Sequence, residues 1–178
     1  MELSIGQKVC YPGQGVCVVE ELQQKSIGDC SMIFYSLRVL NDNSNILVPM
    51  ANAENVGIRP LISQIQCKKL IERLASDFQF ISSDWKTRSR EFTEKLHSGD
   101  VFEAADVLKK LTFLSREKKL SFREQTLLEK AKFLIISEIT YADGVAEETI
   151  CRELEQLVNC ACEKHVEVQP SVMATAVH

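Results

Sequence analysis

The stretch VCYPGQGVCVVEEL, residues 9–22, decides how the first third of the chain is read. A short β-branched run around an aromatic, Lys8 to Pro12, enters a P-G-Q-G turn and leaves it as Gly15 to Leu22. Two apolar-rich runs separated by Gly and Pro are the pattern of consecutive strands joined by a tight turn. The same punctuation continues outward. Met32 to Leu40 (MIFYSLRVL) is aromatic and branched and stops at the turn N-D-N-S. Ile46 to Met50 (ILVPM) and Asn55 to Arg59 complete the set. Short, closely spaced strands of this kind predict a small antiparallel barrel over residues 1–60.

Beyond Pro60 the apolar residues shift to three- and four-residue steps. Ile62, Ile65, Leu70, Ile71 and Leu74 predict one helix. Asp84 is placed to cap a second helix that starts at Trp85, carries Phe92 and Leu96 inward and stops at Ser98-Gly99. Asp100 can cap a third, with Val101, Ala104, Ala105, Leu108 and Leu111 on one face. Ser121 and Glu124 have the spacing and residue types of a capping box. They open a longer helix through Leu127, Leu128, Ala131, Leu134, Ile135 and Ile139. An acidic helix is expected over 146–164, and a frayed tail over 166–178. The fold class is therefore α+β: an antiparallel barrel at 1–60, an all-α bundle at 61–165, and the tail.

The 178 residues are 45% apolar and 26% charged, enough for a sizeable core. No apolar run approaches a membrane span and no secretory signal opens the chain, so a cytoplasmic protein without membrane contact is expected. The net charge of −4 conceals a gradient. Residues 81–140 hold 12 basic and 10 acidic side chains, whereas residues 141–178 hold 2 and 7. A uniformly basic nucleic-acid binder is excluded; any DNA contact has to come from a local patch.

Seven cysteines, with no C-x-x-C, fit neither a disulfide framework nor a zinc ribbon. Cys160, Cys162 and His165 cluster, but at spacings that match no common zinc site. Phosphate-loop, dinucleotide-binding and H-E-x-x-H motifs are missing, and no histidine is placed beside a nucleophile. Neither an enzyme nor a cofactor is expected.

Two segments carry functional information. In DWKTRSR, residues 84–90, the lone tryptophan of the chain sits in the first turn of a helix among Lys86, Arg88 and Arg90. A lone tryptophan is commonly a core residue. The competing reading is an apolar wedge that approaches a minor groove while cations meet the backbone. Lys118, Lys119, Arg123, Lys130 and Lys132 could extend that patch, or merely solvate a helix face. In NILVP, residues 45–49, the proline confines the strand to an edge, and an apolar edge invites pairing with another chain. Filling the barrel is the plainer alternative for Leu47 and Val48.

The order VCYPGQGVCVVEE, FYSLRVL, ILVPMANAENVGIRPLIS, DWKTRSREFTEKLHSGDVFEAADVLKKL and LSFREQTLLEKAKFLIISEI resembles the CarD/CdnL family of bacterial transcription regulators. The N-terminal half also resembles the RNA polymerase-interacting domain of transcription-repair coupling factors. The resemblance covers nearly all of residues 4–142. It implies a Tudor-like (SH3-like) barrel that docks on the RNA polymerase β subunit, followed by a helical DNA-binding domain. In such proteins a tryptophan wedges into the minor groove at the upstream edge of the promoter bubble and stabilises the open complex. Trp85 matches that position. Where the family usually carries two arginines, this chain has Thr87 and Arg88, so Arg88 inherits a backbone contact and Thr87 offers a hydroxyl.

The resemblance also assigns the polymerase contact to Ile46, Leu47, Val48 and Pro49 through edge pairing. Leu47 supplies packing where some relatives have arginine, and Lys25 adds a charge. The expected partners are thus the β subunit and promoter DNA, bound without sequence specificity of its own by a monomeric protein. A protein-interaction adaptor with Trp85 in its core is the competing function. A nucleotide-driven motor is excluded by the missing phosphate loop.

Overall fold

The computed structural model describes residues 2–173. Strands β1 (Lys8–Tyr11), β2 (Gly15–Ile27), β3 (Cys30–Val39), β4 (Asn45–Pro49) and β5 (Arg59–Pro60) form one antiparallel sheet in the order β4-β3-β2-β1-β5. A register shift between Val19 and Glu21 marks an irregularity where β2 bends. The sheet closes over Val9, Cys17, Val19, Tyr35, Leu37 and Val48 as an open barrel whose edges are β4 and β5. Tyr35 is completely buried, and its hydroxyl accepts a hydrogen bond from the Leu3 amide at 3.1 Å.

Strand lengths depart from expectation in two places. Gln23–Ile27 pair with Cys30–Phe34 without a gap, so β2 and β3 form one long hairpin turning at Gly28-Asp29. Its backbone pairing is complete although alternation of apolar residues is absent. Conversely, of the last expected strand, Asn55–Arg59, only Arg59 pairs with β1, joined by Pro60 beyond it.

The helices follow: α1 (Gln64–Ala75), α2 (Trp85–His97), α3 (Val101–Glu117), α4 (Phe122–Asp143) and α5 (Glu147–Met173). Their starts are fixed by side chains that satisfy the free amides of a first turn. Asp84 accepts from the Thr87 amide, Asp100 from the Phe102 amide, and Ser121 with Glu124 completes a reciprocal box. A second box, Ser63 with Gln66, opens α1.

The second core packs Leu70, Leu74, Phe92, Leu96, Leu108, Leu111, Ile135 and Val158 from all five helices. The buried stripe of α1 is Cys67, Leu70 and Leu74, whereas Ile65 and Ile71 fall on its exposed sides. The segment from Val166, expected to fray, instead prolongs α5 to Met173. The helix is anchored below that point. His165 stacks on Phe78 at 4.0 Å with Nδ1 2.7 Å from Asp77, and Lys164 donates to the Ala75 carbonyl at 2.8 Å. Residues 174–178 of the expected tail lie outside the described residues.

Barrel and bundle meet at a polar junction. Arg59 donates twice to the Gly99 carbonyl, at 2.7 and 2.8 Å, and pairs with both oxygens of buried Glu138. Glu138 also accepts from the Ile62 amide at 3.1 Å and lies 3.8 Å from Cys10 Sγ. The P-G-Q-G turn is pressed against the helices. Gly15, at φ +88°, lies so close to Phe133 that a Cβ would stand 3.0 Å from its ring. The backbone angle disfavours any side chain there, and Phe133 would have to shift to admit even a methyl.

Candidate functional site

The sheet presents β4 as a free edge, because β4 pairs only with β3. Cross-strand partners share a face. Leu47 lies opposite Ser36, Pro49 opposite Phe34, and Lys25 opposite Met32. Since Met32, Phe34 and Ser36 alternate along β3, the register brings Lys25, Leu47 and Pro49 to one face. Leu47 is 40% exposed. Two expected contact side chains point the other way. Val48 is 2% exposed within the barrel core, and Ile46 packs against that core. Their part in any edge contact is limited to the backbone, because the strand alternates and only every second residue can face a partner.

The second expected surface lies where α2 and α4 begin. Trp85 is 60% exposed in the first turn of α2, so it is not a core residue. Asp84 fixes this turn from below, and Lys86 Nζ lies 5.8 Å from the indole. Lys86, Arg90, Lys118, Lys119 and Arg123 are all exposed. Among the described residues Arg90 pairs with Glu94, at 3.9 Å.

Arg88 has a different place from the one expected. It is 2% exposed. Its guanidinium donates to the Ser82 and Ser83 carbonyls at 2.7 and 3.3 Å and to Glu124 at 2.7 Å. A guanidinium committed to these partners holds the entry to α2 against the entry to α4 and is not presented at the surface, where a backbone contact was expected. The opposite charge was invisible in sequence because Glu124 is 36 residues away. Burial pushes the Glu124 carboxyl up, but hydrogen bonds from Ser121 and Arg88 outweigh it and bring its pKa down to about 2.

Thr87 donates its hydroxyl to Asp84 at 2.5 Å and so belongs to the cap. Lys130 is also displaced from the expected patch. It sits over Phe133 on the barrel-facing side of α4, where burial lowers its pKa and the charge of Asp42 opposes that shift. The Cys160–Cys162–His165 cluster is dispersed: Cys162 Sγ faces the Lys109 carbonyl, while His165 engages Asp77. Among the described residues no group of three His, Cys, Asp or Glu could hold a metal ion, and no helix is long and apolar enough to cross a membrane.

An open barrel with a bare apolar edge at β4, joined through Arg59 and Glu138 to a capped helical bundle, defines a class of two-module binding proteins. Comparison with known proteins specifies it. Residues 3–62 match the CarD-like/TRCF RID domain and residues 69–155 match the CarD C-terminal domain, so the chain belongs to the CarD/CdnL family of transcription regulators. It is 27% identical over 150 residues to a protein of Bacillus subtilis (strain 168) named "Putative transcription factor YdeB", spanning 82% of this chain and 95% of the relative. It is also similar to the solution NMR structure of the 72-residue N-terminal domain of Myxococcus xanthus CarD. That match has 30% identity and a TM-score of 0.29, covering 33% of this chain and 79% of that one. Family membership makes this a transcription regulator that interacts with RNA polymerase, in a family of regulators rather than enzymes.

Proposed function

We propose that the protein docks on the RNA polymerase β subunit through the β4 edge and holds Trp85 in the minor groove at the upstream edge of the promoter bubble. The observation that carries this reading is the indole itself: 60% exposed, on a capped helix start, with Lys86 Nζ 5.8 Å from the ring. An apolar ring held at a helix start with a cation beside it is the arrangement that minor-groove wedges use. Docking supplies the affinity. The barrel raises the local concentration of the bundle at the promoter, so weak backbone contacts suffice in a chain of net charge −4. The wedge matters only through its preference for the open over the closed state.

The test is open-complex decay after addition of a competitor, with the full chain. Trp85→Ala removes an aromatic contact of the kind worth roughly 1–3 kcal/mol, so the lifetime should fall roughly 5- to 150-fold while polymerase binding and the melting curve stay unchanged. Leu47→Glu should instead weaken capture of the β subunit, because a carboxylate would be buried at the contact. A Trp85→Ala variant that sustains the bubble as long as wild type would end the wedge reading.

A further inference from the structure

Phe122 is the first residue of α4 and is 85% exposed, more than any other large apolar side chain in the described residues. The capping of α4 does not require it, since Ser121 and Glu124 make both reciprocal bonds. Its surroundings are cationic. Lys118, Lys119 and Arg123 are exposed and no acidic residue lies between positions 118 and 123. The flanking carboxylates are Glu117, exposed beside Lys118, and Glu124, which is turned inward to Arg88 at 2.7 Å with Lys118 Nζ 3.8 Å away, so Lys119 and Arg123 are the cations without a close carboxylate among the ion pairs of the described residues. The Arg88–Glu124 pair also ties the start of α4 to the start of α2, so Phe122 and Trp85 occupy the same end of the bundle.

We infer that Phe122 is a second nucleic-acid contact, a stacking platform for an unpaired base whose backbone is met by Lys118, Lys119 and Arg123. This rests on the proposed reading of Trp85 as the residue at the edge of the bubble. A phenyl ring has no group with which to read base edges; what it offers is a face. In a duplex each base face is already covered by the next pair, whereas beside a melted edge it is free. Aromatic rings with flanking cations are the usual means of holding single strands without sequence preference.

The experiment measures binding of the full-length protein at low ionic strength to two labelled DNAs by fluorescence anisotropy. One is a blunt duplex and the other the same duplex with a single-stranded extension. Phe122→Ala should lower affinity for the extended DNA by roughly fivefold or more, leave the blunt duplex nearly unaffected, and melt like wild type. Phe122→Tyr should retain binding, because it keeps the ring. Phe80→Ala serves as the control: Phe80 is 79% exposed but has no cation within two residues in the chain.

Equal losses on both DNAs, or an equal loss with Phe80→Ala, would overturn the inference. If Trp85→Ala weakens binding and Phe122→Ala does not, the inference fails and the wedge reading stands. If neither substitution changes binding to either DNA, both fail.

Discussion

Replacing Arg88 with alanine should damage the protein's stability before it damages any contact with DNA. The guanidinium is nearly fully buried, forms a 2.7 Å pair with Glu124 and satisfies two carbonyls of the loop that enters α2. Removing it leaves Glu124, whose pKa is held near 2, with only the Ser121 bonds and Lys118 at 3.8 Å among its described partners, and leaves both carbonyls without that donor. Breaking a buried pair from one side costs roughly 3–5 kcal/mol. For a chain of this length each kcal/mol corresponds to about 2–4 °C, so the midpoint should drop by roughly 6–20 °C. The assay is a melting curve in low and high salt, read by circular dichroism. A companion series isolates the cause. Glu124→Gln preserves the capping box, because glutamine can make the same backbone bond. Combined with Arg88→Met it removes both charges, and this double variant should melt above Arg88→Met alone. If Arg88→Ala melted within about 2 °C of wild type while losing salt-dependent DNA binding, the buried-clamp account would be wrong and a phosphate contact restored.

Further expectations follow from the same geometry. Because the Glu124 pKa is depressed in the folded protein, its contribution is fully present above its ordinary value near 4.5 and is lost as pH falls toward about 2. The acid limb of a stability–pH profile should therefore span that window, with an upper limit of about 3 kcal/mol, and should shrink in Arg88→Met; an unchanged limb would contradict the assignment. Gly15→Ala combines an unfavourable φ with a contact against Phe133, and should cost more than about 1 kcal/mol in a denaturant titration; no loss would show that the turn can withdraw from the bundle. A disulfide exchange reagent should modify exposed Cys30 first in the native protein. Cys10, pushed up to about 12 by burial and by Glu138, should react only on unfolding, and labelling of Cys10 in the native protein, located by peptide mapping, would refute this ordering.

Punctuation made much of the architecture readable. Asp84, Asp100 and the Ser121–Glu124 pair announced three helix starts by local chemistry alone, and the P-G-Q-G turn announced the first hairpin. Interactions that span the chain were not readable. Arg88 looks like any cation near a tryptophan until Glu124 is brought beside it. Lys130 looks like one more surface lysine until the β3–β4 turn arrives over α4. Val48 and Leu47 are equally apolar in sequence, and only register separates core from edge. Phe122 escaped notice because an apolar residue next to a capping box reads as an ordinary helix start; its exposure emerges only once the bundle leaves it uncovered. The length of the β2–β3 hairpin was hidden for another reason: backbone pairing sustains it without apolar alternation.

The junction around Arg59 and Glu138 bears on how such a regulator could choose among promoters without reading bases. A flexible tether lets one module search while the other stays fixed, and it tolerates wide variation in the path of the DNA. Here Gly99, Arg59, Glu138 and Ile62 are joined by hydrogen bonds, and Gly15 is pressed on Phe133, so contacts rather than a free linker set how the barrel sits on the bundle. Under the proposed function, a promoter whose upstream duplex leaves polymerase at the matching angle meets the aromatic end with no reorganisation. One that departs by a few ångströms forfeits the contact or has to bend toward it, at a cost set by the stiffness of its own base steps. Selectivity would then be written in the shape of the duplex, and loosening the Arg59–Glu138 pair would blunt it by letting every shape fit moderately well.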